Sequence, residues 1–280
     1  MTAGGEFLTA ADGARLRLHE WPVEQAQRTV ALVHGYGEHA GRYARMAGAF
    51  NAQGIAVVGA DLRGYGLSSG KRGSIRSFEE YLLDIDAIVA RARERSGGGP
   101  VGLLGHSMGG LAVCDWLLQR KPDDLCGVAL SSPFLGAARR ISRLVRSILG
   151  AASKVFMNLS FGAGIPGADL TRDAAEAERY DSDPLVLHRV RARWLIECLK
   201  AMDRVHPRAG ELQVPLLLLY AGADRAVSVT ATDAFASRLT MPEREVERLE
   251  GCFHEILNEI PEVRDAVTAR ISAWFLARHG

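Results

Sequence analysis

One short segment constrains the fold more than any other: Gly105-His106-Ser107-Met108-Gly109-Gly110. It follows the apolar run Val101 to Leu104 and precedes a helix-like run from Leu111 to Arg120. A strand must therefore become a helix within a few residues, with a serine at the corner. Side chains two residues either side of that serine would collide with the neighbouring strand and helix, and glycine avoids the collision because it has no Cβ. The corner strains the serine and projects its hydroxyl above the sheet, and the next N–H points at the same spot from the start of a helix. A nucleophile and half an oxyanion-binding site are supplied together.

Thirty glycines in 280 residues make chance matches to Gly-x-Ser-x-Gly easy, and a second one stands at Gly66-Leu67-Ser68-Ser69-Gly70. Context separates the two. Ser68 sits among glycines and polar residues with no strand ending beside it and no helix opening after it, so that stretch reads as a loop.

Composition bounds the function. A chain this long, 48% hydrophobic, can bury a large core. With 34 basic and 33 acidic residues the formal charge is +1, which lacks the basic excess of a nucleic-acid binder. Cys114, Cys126, Cys198 and Cys252 have no spacing suited to zinc, and three of them lie in apolar surroundings, as free thiols of a reducing compartment do. The first residues show no basic or apolar signal region, and no apolar run reaches the ~20 residues of a membrane span. The expectation is a soluble cytoplasmic protein.

Short apolar runs alternate with amphipathic ones. Phe7–Ala10 and Ala14–His19 flank Asp12-Gly13 and predict a hairpin. Thr29–Val33, Ile55–Val58, Val101–Leu104, Leu125–Leu130, Val214–Tyr220 and Val246–Leu249 read as strands. Helices are expected over Arg42–Gln53, from an N-cap at Ser77 with Glu80 in a capping box to about Arg95, and over Pro261–Leu276. This alternation predicts an α/β fold with a mostly parallel sheet covered on both faces, its chemistry at the carboxyl ends of the strands. Between about Ala137 and Arg208 the rhythm breaks and no strand is evident. Arg139–Met157 and Val190–Arg204 read as helices and Phe161–Gly167 as a loop. The core is therefore placed at 1–136 and 208–280, with residues 137–207 as an inserted helical cap over the site.

A serine hydroxyl needs a base, and the base needs an acid that fixes its tautomer. His254, in the loop after the last strand, is the one histidine after Ser107 that topology places well. His188 and His206 fall in or beside the cap and His279 lies next to the terminus. Asp224 follows the strand ending at Tyr220 and is the acid of choice. Glu250 and Glu255 flank His254 and read as solvated loop charges. The second oxyanion donor should come from the loop after Thr29–Val33, which assigns the backbone N–H of Tyr36 beside that of Met108. His34 reads as a shaper of that turn, and Asp61 with Arg63 as a structural pair bracing the glycine loop. Neither a metal nor an organic cofactor is required.

Six stretches resemble the monoacylglycerol lipases and lysophospholipases of the α/β-hydrolase superfamily: His34-Gly-Tyr-Gly-Glu-His39, Asp61 to Gly70, Gly105 to Gly110, Ser182-Asp-Pro-Leu185, Ala221-Gly-Ala-Asp224 and Phe253-His-Glu-Ile-Leu-Asn-Glu259. The resemblance implies a triad on Ser107, Asp224 and His254, oxyanion donors on Tyr36 and Met108, and hydrolysis of glycerol monoesters or lysophospholipids. A small-ester carboxylesterase, a thioesterase or an acyltransferase using a bound alcohol would need the same triad. Chain-length choice belongs to the cap. Its first helix pairs an apolar face (Ile141, Leu144, Val145, Ile148, Leu149) with Arg139, Arg140, Arg143, Arg146 and Lys154, a pattern that also suits transient contact with an anionic membrane surface. The oligomeric state is left open.

Overall fold

The structure, a computed structural model, describes residues 5–138, 150, 160–161 and 164–278. The predicted basic amphipathic helix over Arg139–Met157 lies almost wholly outside them. Eight strands form one sheet: β1 (Phe7–Thr9), β2 (Arg15–Trp21), β3 (Arg28–Val33), β4 (Ile55–Ala60), β5 (Val101–His106), β6 (Leu125–Ser131), and two that follow the insert, Leu216–Ala221 and Arg244–Leu249. Within the insert, Ser160–Phe161 (β7) pairs antiparallel with Val190–Arg191 (β8), so the sheet strands after the insert are β9 and β10. The sheet order is β1-β2-β4-β3-β5-β6-β9-β10. The six strands from β4 across to β10 are parallel, and β1 and β2 add an antiparallel hairpin at one edge.

The described helices are α1 (Ala44–Asn51), α2 (Glu79–Ser96), α3 (Met108–Arg120), α4 (Gly167–Leu170), α5 (Ala174–Ser182), α6 (Ala192–Val205), α7 (Val229–Ala236) and α8 (Pro261–Leu276); α4 and α5 lie in the insert, and the others cover both faces of the sheet. The continuous apolar runs of the central strands follow from this double cover. Along β9, Leu216, Leu218 and Tyr220 point into one core, with α2, α3 and α6, while Leu217, Leu219 and Ala221 point into the other, with α1 and α8. Each such leucine contributes about 1.5–3 kcal/mol on burial. The edge strand β10 instead exposes Arg244, Glu247 and Arg248, charges that discourage pairing with another chain.

Three details differ from the sequence reading. The helix expected over Arg42–Gln53 opens as a tight turn at Ala40–Tyr43, because Arg42 and Tyr43 reach back to Glu38. Ser77 does not cap α2. Its capping-box partner Glu80 instead accepts the Arg76 backbone N–H at 2.8 Å. The insert holds the pair β7–β8, too short to show a period, and the unforeseen helix α5. Asp173 caps α5 by accepting from Ala175 N and Glu176 N, with Glu176 in the first turn, a signal present in the sequence.

Candidate active site

Ser107 occupies the corner between β5 and α3 with φ +51° and ψ −119°, a strained backbone for a residue with a side chain. Glycine makes the corner possible. A Cβ on Gly109 would stand 2.3 Å from the Val33 carbonyl oxygen, and one on Gly105 would stand 2.9 Å from Val113 Cγ2. The corner is pinned by Ser107 N–H to Ser131 O (2.9 Å) and Phe134 N–H to Ser107 O (2.8 Å).

The structure brings Ser107, His254 and Asp224 together although 117 residues separate Ser107 from Asp224. His254 Nε2 lies 2.8 Å from Ser107 Oγ, and Nδ1 lies 2.7 Å from Asp224 Oδ2. The other Asp224 oxygen accepts the N–H groups of Ala226 and Val227, both at 2.8 Å, which fixes the carboxylate. Burial opposes charge on both partners. The imidazole and those two amides outweigh it and hold the Asp224 carboxyl below its ordinary range, while Asp224, Glu255 and Glu38 together raise His254 above an ordinary imidazole. Asp224 then accepts Nδ1–H, leaving Nε2 free to receive the Ser107 proton.

Tyr36 and Met108 line the same cavity as Ser107. The Gly35 backbone presses so close that an added Cβ would meet Ser107 Cβ at 3.1 Å. Among the described residues, neither the Tyr36 N–H nor the Met108 N–H has a hydrogen-bond partner. Their side chains are anchored. The Tyr36 hydroxyl donates to Arg189 O (2.7 Å) and its ring lies 3.8 Å from Trp194, whose indole N–H faces Met108 Sδ at 3.0 Å. His34 shapes the turn as expected, with Nδ1 2.8 Å from Gly35 O and Nε2 accepting the Leu62 N–H. Among the other histidines, His206 Nε2 contacts Leu135 O at 2.6 Å and His188 packs on the Tyr180 ring. His279 lies outside the described residues.

Two charge assignments need correction. Asp61 and Arg63 do not pair with each other. Arg63 bonds Asp12 and Asp84, while Asp61 accepts from Ala40 N and Leu67 N and lies 2.9 Å from His19 Nε2. Glu250 is exposed, as expected, but Glu255 is buried and grips Arg42 through both oxygens. The sequence reading missed Glu38, Arg42 and Glu255 as a group. The i,i+4 spacing of Glu38 and Arg42 was the available signal.

Above Ser107 a cavity of about 490 Å³ is walled by the core loops and, from the insert, by Ile165, Leu170, Leu187, Val190, Trp194 and Leu195. Among the described residues, no cluster of three or more His, Cys, Asp or Glu could hold a metal, and no helix is long and apolar enough to cross a membrane. All four cysteines are free and buried.

A strained serine at a strand-to-helix corner, joined through imidazole to carboxylate under an apolar cavity, defines an α/β-hydrolase of the serine-nucleophile class. The chain belongs to the family described as serine aminopeptidase, S33 (Hydrolase_4), which matches residues 24–261. It is similar to phospholipase YtpA of Bacillus subtilis, 32% identical over 89% of this chain and 95% of that one. It is also similar to human monoglyceride lipase, 31% identical over 97% and 90%. Among solved structures it resembles the Paleococcus ferrophilus monoacylglycerol lipase (TM-score 0.83, 29% identity, 94% and 98% coverage). A Saccharomyces cerevisiae monoglyceride lipase in complex with a substrate analog shares the fold (TM-score 0.84, 19% identity, 98% and 96% coverage).

Proposed function

We propose that this chain is a carboxylic ester hydrolase whose substrates are lipid monoesters, monoacylglycerols or lysophospholipids, cleaved through an acyl-enzyme on Ser107. One observation carries the chemistry: His254 bridges Ser107 Oγ and Asp224 Oδ2 at 2.8 and 2.7 Å. Ser107 Oγ attacks the ester carbonyl as His254 Nε2 takes its proton, and Asp224 stabilises the resulting imidazolium. The Tyr36 and Met108 N–H groups receive the oxyanion, each worth about 3 kcal/mol in the transition state. His254 protonates the departing alcohol. It then deprotonates a water that attacks the acyl-serine, releases the acid and returns the proton to Ser107.

The substrate class follows from the cavity and the relatives. An apolar wall of Leu170, Leu187, Val190 and Leu195 suits an acyl chain, each buried methylene adding ~0.8 kcal/mol. The family description names a peptidase, but recognition of a peptide's ammonium terminus calls for an available carboxylate. Glu38 and Glu255 are both committed to Arg42, and Asp169 is paired with Arg225 at 2.8 Å. Residues 137–207 act as the cap, a reading supported by the insert side chains, Leu170, Leu187 and Trp194 among them, that wall the cavity. The free, buried cysteines support a cytoplasmic location.

The test is a kcat/KM series on purified protein across acyl lengths of monoacylglycerols and lysophospholipids. Rising values with chain length are expected. Turnover confined to short esters or to peptide amides would defeat the lipid assignment.

A further inference from the structure

Beneath the cavity, the loop after β3 and the loop after β10 are joined by three charged side chains. Glu38 Oε1 accepts the Gly35 N–H (2.7 Å) and the Tyr43 O–H (2.8 Å), and its Oε2 accepts from Arg42 Nη1 (2.8 Å). Arg42 also grips Glu255, Nη1 to Oε1 at 2.8 Å and Nη2 to Oε2 at 2.7 Å, and Asn258 Nδ2 donates to Glu255 at 3.0 Å. Every carboxylate oxygen is satisfied. The side chains are 3% (Glu38), 8% (Arg42) and 5% (Glu255) exposed. The cap completes the enclosure. The Tyr180 ring lies 4.8 Å from the guanidinium, and Leu170 O accepts the Glu255 N–H.

Gly35 precedes Tyr36, and Glu255 follows His254. We propose that Glu38, Arg42 and Glu255 are positioning residues for the reaction, fixing the oxyanion loop against the imidazole loop and favouring the imidazolium through a surplus of negative charge. This inference rests on the triad reading above.

The charge arithmetic supports it. Two carboxylates and one guanidinium leave a formal charge of −1 in a buried site, where desolvation makes such a group costly to keep. A merely structural cross-link could be apolar at less cost. The groups facing His254 are Asp224, Ser107, His106, Glu38, Glu255 and Arg42, with the Arg225–Asp169 pair farther out along the same cavity. The His106 ring, 5.0 Å away, adds no positive charge near neutrality, because burial pushes it down to about 4. Arg42 is the one cation in the inner group, and it is shared between two anions.

The test uses a soluble p-nitrophenyl ester and the pH profile of kcat/KM, whose acid limb reports the base in the free enzyme. Glu255→Gln removes one charge at nearly constant shape. Its acid limb is expected to move to lower pH by about half a unit or more, and its plateau to fall roughly three- to tenfold. Glu255→Asp should restore the limb. Arg42→Lys keeps the charge count but loses the two-pronged grip, so its plateau should fall with the limb in place.

A folded Glu255→Gln protein whose limb has not moved overturns the proposal. If that variant does not fold, Glu38→Gln carries the same expectation, since its amide oxygen can still accept the Gly35 N–H. Should neither fold, NMR titration of His254 in the Ser107→Ala protein decides, and a pKa at or below that of a free imidazole overturns it. A wild-type protein that cleaves no ester and resists fluorophosphonate labelling at Ser107 would instead defeat the triad reading itself.

Discussion

Gly105-His106-Ser107-Met108-Gly109 and Gly66-Leu67-Ser68-Ser69-Gly70 share a pattern and nothing else. In the first, the glycines let a strand and a helix close on a corner whose serine carries the strain, with φ +51°. In the second, the glycines carry the strain themselves, Gly66 at +47° and Gly70 at +104°, and the serine is relaxed. Ser107 Oγ points into a cavity toward an imidazole. Ser68 Oγ is spent on the backbone, donating to Asp61 O at 2.5 Å and accepting the Arg17 N–H at 2.8 Å. A serine whose hydroxyl is already satisfied by main chain braces a loop. A nucleophile must sit where only its base can reach it.

The sharpest break in this comparison is Ser107→Ala. We expect loss of roughly 10⁵-fold or more in kcat, with Tm unchanged or slightly higher because backbone strain at the corner is eased. Turnover near the wild-type level would remove Ser107 from the chemistry. Asp224→Asn comes next. It keeps the two amide hydrogen bonds at one oxygen but cannot hold Nδ1–H in place, so kcat should drop about 10⁴-fold while urea unfolding shifts little. Gly109→Ala asks whether the corner itself is needed. The new methyl would overlap the Val33 and His34 carbonyl oxygens, at 2.3 and 2.5 Å, both backbone. Stability should fall by about 3 kcal/mol or more, with activity lost in step; an undiminished urea midpoint would show that the helix can retreat from β3.

Legibility in the sequence tracked the range of the interaction responsible. The β5–α3 corner is local, and the α8 helix, with Pro261 at its first turn, matched its predicted bounds. Asp224 and His254 could be placed near Ser107 because the ends of parallel strands lie along one rim, so strand order does the work of distance. The Glu38–Arg42–Glu255 cluster was not found. Its members lie on different loops, and Glu255 looks like any polar loop residue until the partner 213 positions away is seen. Asp61 with Arg63 failed the other way, as neighbours in sequence whose charges turn to different partners. The short pair β7–β8 carries no period at all.

Ser68→Ala is the smallest and most discriminating of these changes. It leaves every cavity-lining residue in place. It strands the Arg17 N–H in β2 and removes a donor from the Asp61 carbonyl, which should cost about 1–3 kcal/mol. The effect should appear as a lower Tm with kcat and KM unchanged. The coupling could still reach the site, because Asp61 Oδ1 holds the Ala40 N–H at 3.0 Å, at the start of the turn that carries Arg42. A kcat that falls while the folded fraction stays full would mean that the loop holds the charge cluster as well as the hairpin. The two Gly-x-Ser-x-Gly segments would then be parts of one mechanism rather than a site and its look-alike.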